Sequence, residues 1–458
     1  MAHPAEDSDA ACMTKSKLDL RTLCGGRVVL PGDAGYDDAR MPWAREVDQR
    51  PLAIAHPGSV SDIQDLVRAC AAAGLTVAPQ ATGHHAGALP DLAGTILVRL
   101  DGLAGVTIDP ERRIARIHAG TLCRDAVTAA AAHGLTLNHG SSPDVSLIGS
   151  LLGGGLGWYS RRHGLASAAL RSADVVTASG EVVTASATEH PDLFWALRGG
   201  GGSLGIVTSV DLDLLPYPQV YAGLLAWDRA RAEEVLAAWI AWTGSAPDAA
   251  TTSCRLLNLP PLPQLPEPLR GRRLAVIDGV LIGGDDAADC LGPLRALAPE
   301  IDTFGLVPSV AATRIHLDPE SPTPSVTDHA LLGDLDERAV AQLCAVDDAA
   351  LLAAELRHLG GGLARQGDGA LSSLPGSYAL FTVGIAATPE MASAGAAAGA
   401  AVVTALAPWR INRRYLNFTN EPVSAATGYD AAAWKRLGQV RDLMDPERRF
   451  VAAHPIGR

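Results

Sequence analysis

Aromatic side chains are scarce in this sequence: phenylalanine, tyrosine and tryptophan together make up 4% of 458 residues. Large cores are still expected, because 48% of the residues are apolar and a chain of this length ordinarily divides into two or three domains. No apolar run approaches the roughly 20 residues that cross a bilayer. No basic block is present, and 37 lysines and arginines against 50 acidic residues leave a net charge of −13. That balance excludes nucleic acids and anionic membranes as natural partners. The opening residues, Met1 to Asp7, lack a basic segment followed by an apolar one, so no secretory signal is expected. The seven cysteines, at 12, 24, 70, 123, 254, 290 and 344, are odd in number, widely spaced and without a Cys-x-x-Cys pair. This pattern is neither a disulfide framework nor a zinc site. A reduced, cytoplasmic setting fits it, and no histidine cluster at metal-ligand spacing calls for a metal.

What is present is glycine, 47 residues of it, too many for helices alone. Residues 1–50 read as irregular. A helix is expected from Ser61 to Gly74 on the spacing of Ile63, Leu66, Val67 and Cys70. Buried strands are expected at 75–78 and 96–100, a hairpin at 106–117, a helix at 122–133, and strands at 173–178, 182–185 and 206–215. Pro216 and Pro218 mark a domain boundary. Residues 216–408 then read as a second domain. Its strand-like runs at 221–227, 274–282 and 378–386 alternate with alanine-rich helices at 229–243, 286–297 and 389–406, which implies a sheet with helices on one face. The texture changes again from 409, with a helix expected at 431–444.

Gly200 to Gly205 matches the G-x-G-x-x-G dinucleotide fingerprint, but that fingerprint needs a strand before it and a helix after it. Here a helical segment precedes and a strand follows, so a Rossmann site is rejected. The loop 80–87 is more informative. A glycine-rich turn between buried strands exposes backbone N–H groups that can hold phosphate oxygens without lysine. On composition alone, its adjacent His84 and His85 could equally be solvated or hydrogen-bonding loop residues.

Five segments together resemble the berberine-bridge-enzyme-like FAD-linked oxidases of the vanillyl-alcohol-oxidase (PCMH-type) superfamily. They are Gln80-Ala81-Thr82-Gly83-His84; Leu152-Gly153-Gly154-Gly155-Leu156-Gly157-Trp158 with His163-Gly164-Leu165; Leu193 through Thr208; Tyr415-Leu416-Asn417-Phe418; and Asp445-Pro446 through His454-Pro455-Ile456. The resemblance implies an α+β fold: a two-subdomain FAD-binding domain over 1–215 (core about 47–215), a substrate domain over 216–408 with an antiparallel sheet covered by helices, and a 409–458 element returning to the FAD domain. It implies FAD, bonded covalently to His84, the histidine that directly follows the glycine, in preference to His85. The other expected flavin contacts are Gln80, Ala81, Thr82, Gly83, His85, Gly140, Ser141, Ser142, Val145, Gly149, Gly153, Gly154, Gly157, Gly205, Ile206, Val207 and Asn417.

One departure matters. Some family members carry a second flavin bond from a cysteine in Gly-x-Cys-Pro-x-Val; here Ser142 stands at that place, and a serine hydroxyl is too weak a nucleophile to replace it. One covalent bond is therefore expected. Val145, at the position that controls oxygen access, resembles the oxidases. The implied chemistry is hydride removal from a small organic substrate, such as a sugar or natural-product alcohol, with O₂ as acceptor. Use of the flavin without net redox, or a flavin-binding protein without turnover, are the competing readings. Tyr415 is the first candidate base, if neighbouring charge lowers its pKa, and Tyr378 the second. His316, Asp318, Arg357 and His358 are weaker pocket candidates, and Arg161 and Arg162 could meet phosphates or be solvated. Monomer and homodimer both remain open.

Overall fold

The structure, a computed structural model, describes residues 19–263, 265–283, 286–346 and 349–457; the opening segment read for a signal and Cys12 lie outside them. Two smaller sheets come from the chain ends and one large sheet from the middle. The first sheet orders Val28–Val29, Ala53–Ala55, Thr95–Arg99 and Thr76–Gln80, with the last three parallel. Parallel neighbours need a covered crossover, and helix Val60–Ala73 supplies it, burying Ile63, Leu66, Val67 and Cys70 as the spacing implied. Its cap is Ser59 rather than Ser61, because Asp62 at the third helical position returns a hydrogen bond and completes a capping box with Ser59. Residues 81–94 leave the carboxyl end of Thr76–Gln80, the end at which open α/β sheets bind ligands.

The second sheet is antiparallel throughout, in the order Val106–Asp109, Ile114–His118, Ile206–Asp213, Leu170–Val176, Val182–Ser186. Helix Pro191–Leu197 precedes the run 199–205 and strand Ile206–Asp213 follows it, the reverse of the dinucleotide fingerprint. The C-terminal segment returns here. Helix Ala431–Met444 packs on Pro191–Leu197, and residues beside Phe450 pair with Val77 through Val77 N–H to Arg449 O (2.9 Å) and Val451 N–H to Val77 O (2.8 Å).

Residues 219–385 build an eight-stranded antiparallel sheet whose main path ends Ala250–Asn258, Ala353–His358, Tyr378–Ile385, Ser325–Leu332. Helices Ala232–Thr243, Glu337–Ala345 and Pro389–Ala405 cover one face around buried Trp227, Trp239 and Leu380. Pro389–Ala405 lies so close that a Cβ on Gly395 would stand 3.2 Å from Gly384 Cα. Three of these strands are legible in the sequence; five are not: Ala250–Asn258, Ser325–Leu332 and Ala353–His358, whose charged residues break the apolar pattern, and the short Ile301–Asp302 and Gly305–Pro308. The helix expected over 286–297 is two short helices, Asp286–Cys290 and Gly292–Arg295, interrupted before Pro293. Among the described residues no helix is long and apolar enough to cross a membrane, and six cysteines are free thiols.

Candidate active site

The uncovered face of the large sheet, the loop 80–86, the glycine-rich run 138–156 and residues 415–418 enclose a cavity of about 510 Å³. His84 stands in its wall. Gly83 directs the turn with φ +83°, and a Cβ there would meet Pro42 at 2.8 Å and Gln80 at 2.9 Å, so no other residue fits without rearrangement. The His84 ring stacks on Trp43 with centroids 4.1 Å apart. Its Nδ1 lies 2.8 Å from Thr82 Oγ1, and its Nε2 lies 3.8 Å from Asp144 and has no hydrogen-bond partner. Trp43 Nε1 and Ser142 Oγ donate to the Asp144 carboxylate. Burial pushes that carboxyl up, but His84, Trp43 and Ser142 together hold it below the usual carboxylate range. A buried nitrogen without a partner beside an ionised carboxylate is an unusual arrangement. His85 is different. Its Nε2 is committed to Asn417 O at 2.8 Å, and burial lowers its pKa to about 4.

Tyr415 is fully buried and also lines the cavity. Leu156 N–H (2.8 Å) and Asn417 Nδ2 (3.1 Å) both donate to its hydroxyl oxygen. Its backbone N–H donates to His329 Nε2 at 3.1 Å, which ties the C-terminal element to the large sheet. Asn417 also donates to Ser150 O at 2.9 Å and lies so near Gly153 that a Cβ there would fall 1.7 Å from its Oδ1. The lowered tyrosine pKa that the base role was expected to need is absent: burial outweighs both N–H donors and the Arg357 charge and pushes Tyr415 up to about 12.

Gln80, Ala81, Thr82, Gly83, His84, His85, Gly140, Ser141, Ser142, Val145, Gly149, Gly153, Gly205, Val207, Asn417 and Tyr415 all line the cavity. Three expected contacts do not. Gly154 packs against Leu371 and Leu165, Gly157 lies against His139 O, and Ile206 points into the core of the first sheet. Tyr378 is also corrected: it lies on the helix-covered face with its hydroxyl 2.6 Å from Thr243 Oγ1, and His358 packs beside it. Arg161 is spent on the carbonyls of Leu359, Pro247 and Ala250, and Arg162 is exposed away from the cavity.

His316, Asp318 and Arg357 do meet at the cavity, within a network the sequence reading did not assemble. Asp278 sits 2.7 Å from Arg255 and 2.8 Å from His316 Nδ1, while Glu355 sits 3.3 Å from His316 Nε2 and 2.5 Å from Arg357 Nε. Arg357 and Asp318 both hydrogen-bond Ser141, at 3.0 and 2.9 Å. Burial and Arg255 oppose charge on His316, but Asp278, Glu355 and Asp318 prevail and raise its pKa to about 9.

The buried imidazoles make the fold sensitive to acid. Burial lowers His85, His139 and His329 each to about 4 from the ordinary 6.5, whereas His316 rises to about 9. The three depressed groups stabilise fully above the unfolded value and lose that contribution as pH falls through their folded pKa; His316 contributes fully below the unfolded value and loses it as pH rises toward 9. Thermal unfolding followed by circular dichroism should therefore show Tm falling by several degrees from roughly pH 7 to pH 5, with a smaller loss on the alkaline side. A Tm flat through the acid window would contradict the neutral assignment.

The lining suits a flavin. His84 Nε2 and His139 Nε2 are buried without partners, the glycine-rich walls leave backbone open, and the two arginines that line the cavity are already engaged with carboxylates. Phosphate oxygens would thus fall to backbone N–H groups. Residues 51–186 match the FAD binding domain family. The proteins that match the chain in sequence include (R)-6-hydroxynicotine oxidase of Paenarthrobacter nicotinovorans, 35% identical over 213 residues (46% of each chain), and xylooligosaccharide oxidase of Thermothelomyces thermophilus, 41% identical over 180 residues (39% of this chain, 35% of the relative). The chain spans less than half the length of these curated relatives. In structure it resembles 6-hydroxy-D-nicotine oxidase of Arthrobacter nicotinovorans, with TM-score 0.83, 24% identity and coverage of 96% of this chain and 100% of that one. It also resembles BBE-like 1 of Physcomitrella patens, with TM-score 0.81, 18% identity and coverage of 95% and 98%. Residues 51–186 are an FAD-binding domain, FAD is the cofactor, and the fold is the one shared with 6-hydroxy-D-nicotine oxidase and BBE-like 1.

Proposed function

We propose that the protein is an FAD-dependent oxidase that removes a hydride from a small organic substrate, holds its flavin covalently through His84, and passes the electrons to O₂. The observation that carries this reading is the His84 ring, placed in the cavity wall with Nε2 free of any hydrogen bond. When bound, the flavin supplies the hydride acceptor. With Nδ1–H donated to Thr82, the Nε2 lone pair is the nucleophile, and the Asp144 carboxylate lies 3.8 Å from it. Tyr415 faces the same cavity, so its oxygen is where the substrate proton would be taken up or held. The small Val145 side chain in the lining supports O₂ as the acceptor. The (R)-6-hydroxynicotine and xylooligosaccharide oxidases named above support the oxidase class without deciding between their substrates.

The test is acid precipitation of the purified protein, followed by spectra of pellet and supernatant and peptide mass analysis. Yellow colour in the pellet and flavin mass on the peptide carrying His84 are expected. Substrate screening by anaerobic bleaching and O₂ uptake then follows; bleaching without O₂ uptake would overturn the oxidase assignment. A well-folded, FAD-supplemented protein without flavin would overturn the whole reading.

A further inference from the structure

Attachment through His84 requires a bare Nε2, and the neighbours of the ring decide whether Nε2 is bare. Which imidazole nitrogen carries the proton is set by the hydrogen bond the other one makes. Thr82 Oγ1, 2.8 Å from Nδ1, draws the proton there and leaves the Nε2 lone pair free. Asp144 pulls the other way. Its carboxylate is nearly buried and ionised, with Oδ1 3.8 Å from Nε2. A closer approach would offer an Nε2–H a charged acceptor, a stronger partner than a hydroxyl, and Nε2 would lose its lone pair. Two donors restrain the carboxylate: Ser142 Oγ on Oδ1 at 3.1 Å, and the Trp43 indole N–H on Oδ2. Trp43 also supports the ring, stacked at 4.1 Å with the two planes 16° apart. Its own place is fixed by the turn it covers. The Trp43 backbone N–H donates to Thr82 O at 2.8 Å, and the Ala44 N–H donates to Gly83 O at 3.5 Å.

We infer that Trp43 is the positioning residue for flavin attachment: its face orients the His84 ring, and its N–H holds Asp144 back from Nε2, so that the lone pair stays available. The inference rests on the covalent reading above. Bond formation replaces one flavin methyl C–H and the imidazole N–H by a C–N bond. The two protons and two electrons released pass to O₂ and leave as H₂O₂. Thr82 suits both ends of that exchange, because a hydroxyl accepts from Nδ1–H before it and donates to the bare Nδ1 afterwards.

The test follows attachment in full-length protein made under riboflavin limitation, where the reaction starts when FAD is added in air. Samples taken with time are precipitated with acid, and the flavin in pellet and supernatant is compared. Trp43→Phe keeps a ring over His84 but lacks the N–H. At saturating FAD its attachment rate should fall about 10- to 100-fold, the factor by which a hydrogen bond to a charged group shifts such a balance. The FAD concentration for half-maximal rate should change less. Trp43→Leu, which loses the face as well, should be slower again. Adding Asp144→Ala to Trp43→Phe should restore most of the rate, since no carboxylate remains to capture Nε2–H; a tryptophan needed only for packing would not be rescued. The fraction attached after production in full medium is the second readout, complete in the parent and incomplete in Trp43→Phe. Where the Trp43 variants do not fold, Ser142→Ala carries the same test, because it frees the other carboxylate oxygen and leaves the indole in place. A parental rate in Trp43→Phe or Ser142→Ala, a defect that saturating FAD abolishes, or a double variant as slow as the single one overturns the inference and leaves His84 as the attachment point. A parent from full medium whose flavin all goes to the supernatant removes the covalent reading and this inference together.

Discussion

His84→Ala protein should release all of its flavin into the supernatant on acid precipitation, whereas the parent should carry the colour into the pellet with one flavin per chain. The expectation follows from how differently two adjacent imidazoles are held. His84 has its Nδ1 engaged with Thr82, its ring supported by Trp43 and its Nε2 without a partner. His85 has spent Nε2 on the Asn417 carbonyl and is tied through residue 417 to the C-terminal element. It cannot take over the bond without giving up that anchor. The variant should fold, because removing a partly exposed ring leaves no buried donor stranded: Thr82 is only half-buried, and Asp144 keeps Trp43 and Ser142. A second readout is the intact mass, which should fall by the flavin as well as by the histidine side chain. His85→Ala should keep the flavin covalent. If His84→Ala protein still precipitates yellow, the attachment lies elsewhere and the nucleophile assignment is wrong.

The parts of this site that could be read from sequence are those where backbone geometry dictates the residue. Gly83 is required by its positive φ and by Pro42 and Gln80 around it, and Gly153 by Asn417, so the glycine-histidine turn and the Tyr-x-Asn segment announce themselves as motifs. Side chains that act across the fold give no such signal. Trp43 belongs to a stretch that reads as irregular, yet it stacks on a ring 41 positions later in the chain. Asp144 lies inside a motif, two residues after Ser142, but only the folded chain shows it turned toward His84 and Trp43. The missed strands fail for a related reason: Arg255, Glu355 and Arg357 interrupt the apolar pattern because that face of the sheet is the cavity wall. The Tyr378 error could have been avoided by parity. Phe381, Val383 and Ile385 alternate onto the cavity, which sends Tyr378, Leu380 and Thr382 to the helix side. Gly154, Gly157 and Ile206 show the limit of a motif: the run is recognised whole, but only some of its residues face the ligand.

Tyr415→Phe should slow flavin reduction by about 10²- to 10⁴-fold, the range expected on losing a positioned proton-transfer group. The pH dependence separates a chemical role from a packing one. With its pKa pushed up to about 12 by burial, the Tyr415 hydroxyl is protonated at neutral pH, and the phenolate fraction grows up to tenfold for each unit of pH. If the phenolate accepts the substrate proton, single-turnover reduction in the parent should accelerate steadily from neutral pH into the alkaline range, and the phenylalanine variant should lose that slope. The same substitution leaves Leu156 N–H and an Asn417 Nδ2 proton without their shared acceptor, which costs about 1–3 kcal/mol for a buried donor and should lower Tm. Stability loss alone would scale the rate equally at every pH, so parallel pH profiles in the two proteins would leave Tyr415 as a bracket for Leu156 and Asn417 and move the base to another group. A slope that disappears with the hydroxyl assigns it to Tyr415. The two N–H donors then have a purpose beyond packing, because they hold the oxygen in place and favour its anion while burial keeps water away from it.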